Sequence, residues 1–333
     1  MSVASGTRLR RAVEERDILP FIGIYDVFSA SLAARSYDSL FLSGFGFAAS
    51  HYGLPDAGFV TWSDMVELLR RLRDVLPHHL LLVDIDDGYG GPEQAAYVAC
   101  CLQALGASGI VLEDQRRPKR CGHLSGKQVV GVDEYLEKLD AVLQARRDLF
   151  VIARTDAEHR EEMIRRAVTY GEAGADAVLV DGIRDLSILT ELSASVERPL
   201  VFNQISNGKS PMCSLDELSQ LGVSIVLYST PCLFAAQRAM QEELEALKER
   251  GGRLEQPGGD GVGLEECNEI LQQNLVRRRE AAQRGAPAPS ANLDPSKGKD
   301  RLTEDRAACR CGDEQHHPSP CRLEEEREST HES

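Results

Sequence analysis

Lys119-Arg120-Cys121-Gly122-His123 sets a thiol among two cations and an imidazole, with a glycine beside it. Nearby positive charge lowers a thiol pKa, and glycine lets the backbone approach a ligand closely, so the string reads as a reactive cysteine on a loop. His123 is placed to orient that thiol or a substrate oxygen, or to cap a turn. Upstream lies Asp84-Ile85-Asp86-Asp87-Gly88-Tyr89-Gly90. Asp84 and Asp86 are two apart at the end of an apolar run, so both carboxylates should face one side. Glu113, ending the next apolar run, adds a third. Converging carboxylates repel unless a cation or proton sits between them, and hard oxygens in this number suit Mg²⁺ or Mn²⁺ completed by water. The alternative is a set of solvated loop acids capping a helix. Arg154 follows the apolar Phe150-Val151-Ile152-Ala153 and must find an anion. That anion is either a substrate carboxylate held bidentately or one of Asp156 and Asp181. Ser43-Gly44-Phe45-Gly46 can aim backbone amides at an anion, although such tetrads are common in turns.

These residues need a scaffold that gathers them. Eight apolar runs punctuate the chain: Leu19–Ile24, Ser39–Ser43, Leu80–Ile85, Gly109–Leu112, Leu149–Ala153, Ala177–Val180, Leu200–Phe202 and Ser224–Tyr228. Segments of helical period alternate with them, opened by capping residues such as Ser63 and Ser214 or by Pro92 and Pro231. The pattern predicts an α/β fold, a (β/α)8 TIM-type barrel, with a doubly wound sheet as the rival. Polar residues fall just after the runs: Asp26, Ser43, Asp84 and Asp86, Glu113-Asp114, Arg154 to Asp156, Asp181, and Asn203-Gln204. In a barrel those positions share one mouth, where the chemistry sits.

The bulk numbers narrow the partners. The chain has 333 residues and a formal net charge of −15, so nucleic acid and anionic membrane are not expected to bind it. No apolar stretch is long enough for a transmembrane helix, and Met1–Arg11 lacks a secretory h-region. The nine cysteines follow no framework spacing and read as reduced thiols, which predicts a cytoplasmic protein. Cys100, Cys101 and Cys232 sit in helical patterns and read as small core residues. The expected organisation is a barrel over residues 1–250, a linker and one amphipathic helix over 251–285, and a disordered tail over 286–333. Cys309, Cys311, Cys321, His316 and His317 in that tail do not have standard zinc-finger spacing.

Taken together, three motifs resemble the isocitrate lyase / phosphoenolpyruvate mutase superfamily. They are Asp84-x-Asp86-x-Gly88-Tyr89-Gly90, Glu113-Asp114-Gln115 and Lys119-Arg120-Cys121-Gly122-His123. Tyr25-Asp26, Gly53-Leu54-Pro55-Asp56, Ile152 to Asp156 and Ala173 to Ala177 support the likeness, which spans about residues 18–250. It implies a barrel whose eighth helix is exchanged between subunits of a homodimer, usually within a homotetramer. It implies Mg²⁺ and small anionic substrates, either 2-hydroxy or 2-oxo acids or phosphonates. By the resemblance, Asp84 and Asp86 are the metal-site acids, helped by Glu113 and Asp56. Ser43, Gly44, Phe45, Arg154, Asp181 and Asn203 contact substrate. Cys121 and Gly122 belong to a gating loop, whose thiol protonates a departing enolate as a general acid. His123 and Arg154 join Cys121 in the catalytic set. By the resemblance, the Cys-Gly-His loop marks the carbon–carbon lyases acting on methylisocitrate, alkylmalates or oxaloacetate, and one phosphonate-pathway branch, the carboxyphosphoenolpyruvate mutases, shares it; Leu124-Ser125-Gly126-Lys127 resembles that branch, the hydrolases and the alkylmalate lyases about equally. A phosphonomutase that forms a P–C bond, or a barrel that has become a scaffold, are the alternatives. Asp87 stands where the family has a small or hydroxyl residue. Asp181 stands where many lyases have a longer glutamate.

Overall fold

The computed structural model describes residues 4–254 and 262–285. Eight parallel strands close on themselves in sequence order: β1 (Leu19–Ile24), β2 (Ser39–Leu42), β3 (Leu80–Asp84), β4 (Gly109–Glu113), β5 (Phe150–Thr155), β6 (Ala177–Val180), β7 (Leu200–Gln204) and β8 (Val223–Tyr228). The barrel expectation is thus borne out, and the doubly wound alternative is excluded by the β1–β8 pairing. Both faces of the strands are covered, which is why they read as continuous apolar runs rather than alternating ones. Phe21, Phe41, Leu82, Val111, Ile152, Leu179, Val201 and Leu227 fill the interior. Ile22, Leu40, Leu81, Ile110 and Val151 face the helices instead.

The helices are α1 (Ser5–Glu15), α2 (Val27–Ala33), α3 (Gly44–Phe47), α4 (Trp62–Val75), α5 (Pro92–Ala104), α6 (Val132–Ala145), α7 (Arg160–Glu172), α8 (Ser187–Ser195), α9 (Leu215–Gln220), α10 (Pro231–Glu249) and α11 (Leu264–Gly285). Side chains fix several starts. Asp26 caps α2 by accepting from the Ser29 N–H, so this strand-end acid is a cap. Thr61 with Asp64, and Ser214 with Glu217, form capping boxes for α4 and α9.

Helix α1 was not anticipated, because its apolar face is short. Its Leu9 plugs the barrel end opposite the polar mouth. The Thr7 N–H donates to the Asp148 carboxylate at 2.9 Å, and Arg10 pairs with Asp176 at 2.9 Å. Helix α3 and the π-helical turn Ala48–Tyr52 also went unread, since glycines mask helical period.

Helix α10 has no buried residue, whereas α11 packs back on α2 and α4. There Ile270 is buried and Asn274 Nδ2 donates to Ser31 Oγ at 2.9 Å. Cys100, Cys101 and Cys232 are only partly buried; Cys232 packs against the edge of the main hydrophobic core. Residues 255–261 of the expected linker, and the whole expected tail with its cysteines and histidines, lie outside the described residues. Among the described residues no helix is long and apolar enough to cross a membrane.

Candidate active site

The C-terminal ends of the strands deliver the polar residues to one cavity. Its lining includes Ser43, Phe45, Asp56, Asp84, Cys121, Gly122, His123, Arg154, Asp181 and Asn203, over an apolar floor of Phe41, Val111, Leu179 and Leu227. Residues from six strand ends and one long loop therefore meet, as the barrel geometry demands.

The acids form two tiers. Asp84 and Asp56 line the cavity, whereas Asp86 and Glu113 stand behind them, 3% and 1% exposed. Asp86 adopts a left-handed φ of 49°, and its N–H donates to Asp84 Oδ1 at 3.2 Å. That turn, rather than strand alternation, brings the two carboxylates together. The buried Lys119 ammonium enters the cluster. It contacts Asp86 and lies 3.0 Å from Asp56 and 3.9 Å from Glu113. Burial disfavours its charge, but Asp86, Glu113, Asp56 and Asp84 outweigh that and hold it firmly protonated. Burial pushes the Glu113 carboxyl well above the usual range. Asp87 does not add charge beside this cluster. It is turned away to Arg117, at 2.7 Å, and to Lys138, at 4.0 Å.

The loop between β4 and α6 lies shut over the cavity. Arg117 anchors its start through Asp87, and Lys127 anchors its end on Asp156 at 2.9 Å. Between them Gly122 passes so close to the floor that a Cβ there would collide with Asp181 Oδ2. The same Cβ would stand 2.5 Å from Arg154 Nη2. Only glycine permits this closure. The expectation of a thiol activated by positive charge is corrected. Cys121 is mostly buried, and that burial, reinforced by Asp56 and Asp181, pushes its pKa up to about 11. The thiol keeps its proton at neutral pH.

His123 is held by the opposite wall. Its Nδ1 accepts the backbone N–H of Lys209 at 2.9 Å, so Nε2 carries the hydrogen and faces Asp181 Oδ1 at 3.5 Å. Lys209 Nζ also donates to the Leu124 carbonyl at 2.7 Å and pairs with Glu158.

Arg154 meets both of its sequence-stated internal partners. Its Nε and Nη2 grip Asp156 at 2.8 and 3.0 Å, Nη2 reaches Asp181 at 2.9 Å, and Nη1 lies 3.4 Å from Glu113. The fork is spent on protein, so Arg154 offers a substrate one edge rather than the expected bidentate clamp. Burial opposes ionisation of Asp181, but Arg154 and then His123 hold its carboxyl far below the usual range. Asn203 Nδ2 donates to Asp181 Oδ1 at 2.9 Å, and its oxygen accepts from Ser229 at 2.6 Å. The amides of the Ser43 turn are also partly committed. Gly44 N–H faces Asp84 at 3.4 Å, and Gly46 N–H donates to Ser43 Oγ.

Residues 9–248 match the family model described as phosphoenolpyruvate phosphomutase. The chain belongs to the phosphoenolpyruvate phosphomutase family. Relatives within reach of this family span two bond types. The 2-methylisocitrate lyase of Bacillus subtilis is 36% identical over 74% of this chain and 83% of its own length. The solved structure of oxaloacetate acetylhydrolase with 3,3-difluorooxalacetate superposes with a TM-score of 0.78. It is 32% identical, covering 86% of this chain and 99% of that one. Phosphonopyruvate hydrolase, solved with oxalate and Mg²⁺, gives a TM-score of 0.72 at 28% identity, covering 84% and 99%.

For a phosphoenolpyruvate phosphomutase family member, the acid cluster fits a hydrated divalent cation. Both Glu113 oxygens are buried without a hydrogen-bond partner, and four carboxylates outnumber the Lys119 ammonium and the Arg154 edge. Among the described residues no three His, Cys, Asp or Glu side chains are disposed as a metal cage. This suits an ion that keeps most of its water and takes one or two carboxylates, as Mg²⁺ does. The residues missed by sequence reasoning are Lys119, Lys209 and Ser229. Lys119 was read as a neighbour of the thiol, and a count of acids against cations at one mouth was the signal that it belonged elsewhere.

Proposed function

We propose that this protein is a Mg²⁺-dependent carbon–carbon lyase acting on a small 2-hydroxy or 2-oxo acid with further carboxylates. The observation that carries it is Cys121. A thiol held protonated by burial, in one cavity with Asp84, Asp56 and Arg154, is a proton donor. A lyase needs one, because breaking C2–C3 leaves an electron pair on C3. A phosphonomutase moves a phosphorus group between carbon and oxygen and has no such demand.

The steps follow from the parts. A cavity carboxylate takes the proton of a C2 hydroxyl, which a 2-hydroxy acid carries and a 2-oxo acid gains when one water adds to its C2 carbonyl, and the oxygen's electrons form the product C2 carbonyl. The C2–C3 bonding pair departs as the enolate of the leaving carboxylic acid. Cys121 gives its proton to C3, and the resulting thiolate is reprotonated when the loop opens. Asp84 and Asp86, helped by Glu113 and Asp56, would hold a Mg²⁺, which would supply Lewis-acid polarisation of substrate oxygens. The Arg154 edge, Asn203 and the His123 Nε2–H orient the substrate carboxylates. The shut loop keeps water from the enolate. The bare outer face of α10 supports a dimer in which α10 packs on a second copy, and nine cysteines without framework spacing support a cytoplasmic setting.

Release of pyruvate, glyoxylate or oxalate from 2-methylisocitrate, 2,3-dimethylmalate and oxaloacetate tests the reading. Cys121→Ser should retain substrate binding and lower turnover by about three orders of magnitude. Full activity in that variant removes the proposed role.

A further inference from the structure

We propose that a second cavity, beside the catalytic one, binds a small organic anion, and that this anion holds the loop after β4 shut. Such a site is independent of which bond the catalytic cavity breaks.

The second cavity has a volume of about 520 Å³, within the range of small-molecule sites. Four segments wall it. Ser125 and Lys127 come from the loop after β4, and Lys209 from the β7–α9 connection. The turn before α7 with the start of that helix, and the β6–α8 connection, complete it. Asp181 stands between the two cavities and lines both. The passage beside it is narrow, since a Cβ on Gly182 would lie 3.0 Å from the Gly122 carbonyl oxygen. A molecule in the second cavity is therefore separate from one in the first while the loop is shut.

The chain as a whole carries a formal net charge of −15, yet this cavity gathers Lys127, Arg160, Arg184 and Lys209. Their internal partners are unequal. Lys127 is held by Asp156 at 2.9 Å, and Arg160 by Asp185 at 3.1 Å and by Glu191. Asp181 is turned to the catalytic side, where Arg154 and Asn203 each reach it at 2.9 Å. Lys209 pairs with Glu158 at 3.1 Å, and that carboxylate is half exposed. Arg184 makes no hydrogen bond or ion pair among the described residues. The hydrogen bond from Lys209, with Lys127 and Arg184 nearby, holds the Glu158 carboxyl below its usual range. Cations thus converge where a single exposed carboxylate stands, and the Arg184 fork is still open. An anionic head group beside Glu158 takes that fork and shares Lys209.

The floor says that the anion has an organic body. Ala157, Met163 and Ile188 line the cavity beneath the charges. A bare inorganic ion would leave those side chains against water, whereas an apolar body covers them.

Binding is tied to the loop because the loop supplies part of the wall. Ser125 and Lys127 are in place only when it is shut, and Lys209 Nζ also holds the Leu124 carbonyl at 2.7 Å. A ligand that prefers the completed cavity shifts the loop toward closure by the same free energy.

Isothermal titration calorimetry on the full chain, with Mg²⁺ and excess oxalate to occupy the catalytic cavity, tests the site. Phenyl phosphate or phenylacetate should bind, the tighter of the two identifying the head group, and inorganic phosphate should bind more weakly than phenyl phosphate. Arg184→Ala should raise Kd by about ten-fold or more, the loss expected for a hydrogen bond to a charged group. Glu158→Gln should lower Kd several-fold, because the competing carboxylate is gone. Iodoacetamide labelling of Cys121, measured without oxalate at a probe concentration that saturates wild type alone, should slow several-fold in wild type and not in Arg184→Ala. No binding of either organic probe, or equal Kd in wild type and Arg184→Ala, overturns the site. Labelling that the probe leaves unchanged, or slows equally in both proteins, overturns its coupling to the loop.

Discussion

The Lys119 ammonium lies 3.0 Å from the Asp56 carboxylate, inside the acid cluster that also holds Asp86 and Glu113. The lysine that precedes the cysteine by two residues thus serves the acids and leaves the thiol to burial and to the charges of Asp56 and Asp181, which keep it protonated. This gives the site two electrostatic compartments, a charged one under the Asp84 turn and a proton-keeping one at the loop.

Lys119→Met should leave Asp56, Asp86 and Glu113 buried without their cation. Losing one partner of a buried pair costs about 3–5 kcal/mol. We expect a marked fall in Tm without divalent metal and substantial recovery with Mg²⁺, since the ion replaces the missing charge. A Tm that is unchanged without metal would show that Lys119 is not the balancing charge.

Gly122→Ala should stop the loop from shutting, because the added methyl meets Asp181, Arg154 and Asp156. Turnover should fall by at least about 100-fold while Tm moves little, since misplacing reacting groups by about 1 Å is enough. Wild-type kcat in this variant would mean that closure is not needed for the reaction.

The Cys121 thiol should show its raised pKa in its reactivity. Folded-state pKa lies above the ordinary 9.0, so the protonated form persists through pH 9 and the thiolate appears only toward about 11. Iodoacetamide labelling of Cys121, followed by peptide mass spectrometry, should still be climbing between pH 9 and 10.5. A rate that levels off below pH 9 contradicts the buried, proton-bearing thiol.

Lys209→Met removes the ammonium that holds the Leu124 carbonyl and Glu158 but keeps the backbone N–H on His123. The loop should open more often, so Cys121 labels several-fold faster and KM rises more than kcat falls. Lys209→Arg should restore much of the wild-type behaviour. Identical labelling in Lys209→Met and wild type would remove Lys209 as a loop anchor.

Asp114 is a structural acid despite standing next to Glu113. Its carboxylate accepts from Arg166 and Tyr170, both at 2.8 Å, and from the Asp156 N–H at 2.9 Å. Asp114→Ala should cost about 3 kcal/mol in urea unfolding, because the Tyr170 hydroxyl and the Asp156 N–H lose their buried acceptor and Arg166 keeps only Glu162 as a carboxylate partner. A loss under about 1 kcal/mol would mean the network does not hold β4 to α7.

The barrel was legible because its signals are local. Eight doubly buried strands leave apolar runs, and polar residues at most run ends mark the mouth, so neither needs the third dimension to be seen. The membership of the site was legible for the same reason. Asp84, Glu113, Arg154, Asp181 and Asn203 all stand at strand ends, and each faces the cavity or the charges behind it.

Local order could not show which charge neutralises which. Lys119 and Asp56 are far apart in sequence, as are Lys209 and His123, yet they touch. Pairings of this kind depend on how the loop after β4 folds over the mouth and how much water it removes. They reversed one expectation, turning an activated thiol into a protonated one, and they chose between the two partners open to Arg154 in favour of the internal acids. Residue type and spacing therefore determined what chemistry the chain carries and where. Burial and long-range pairing, which exist only once the barrel closes, decided which charges neutralise one another and that the thiol keeps its proton.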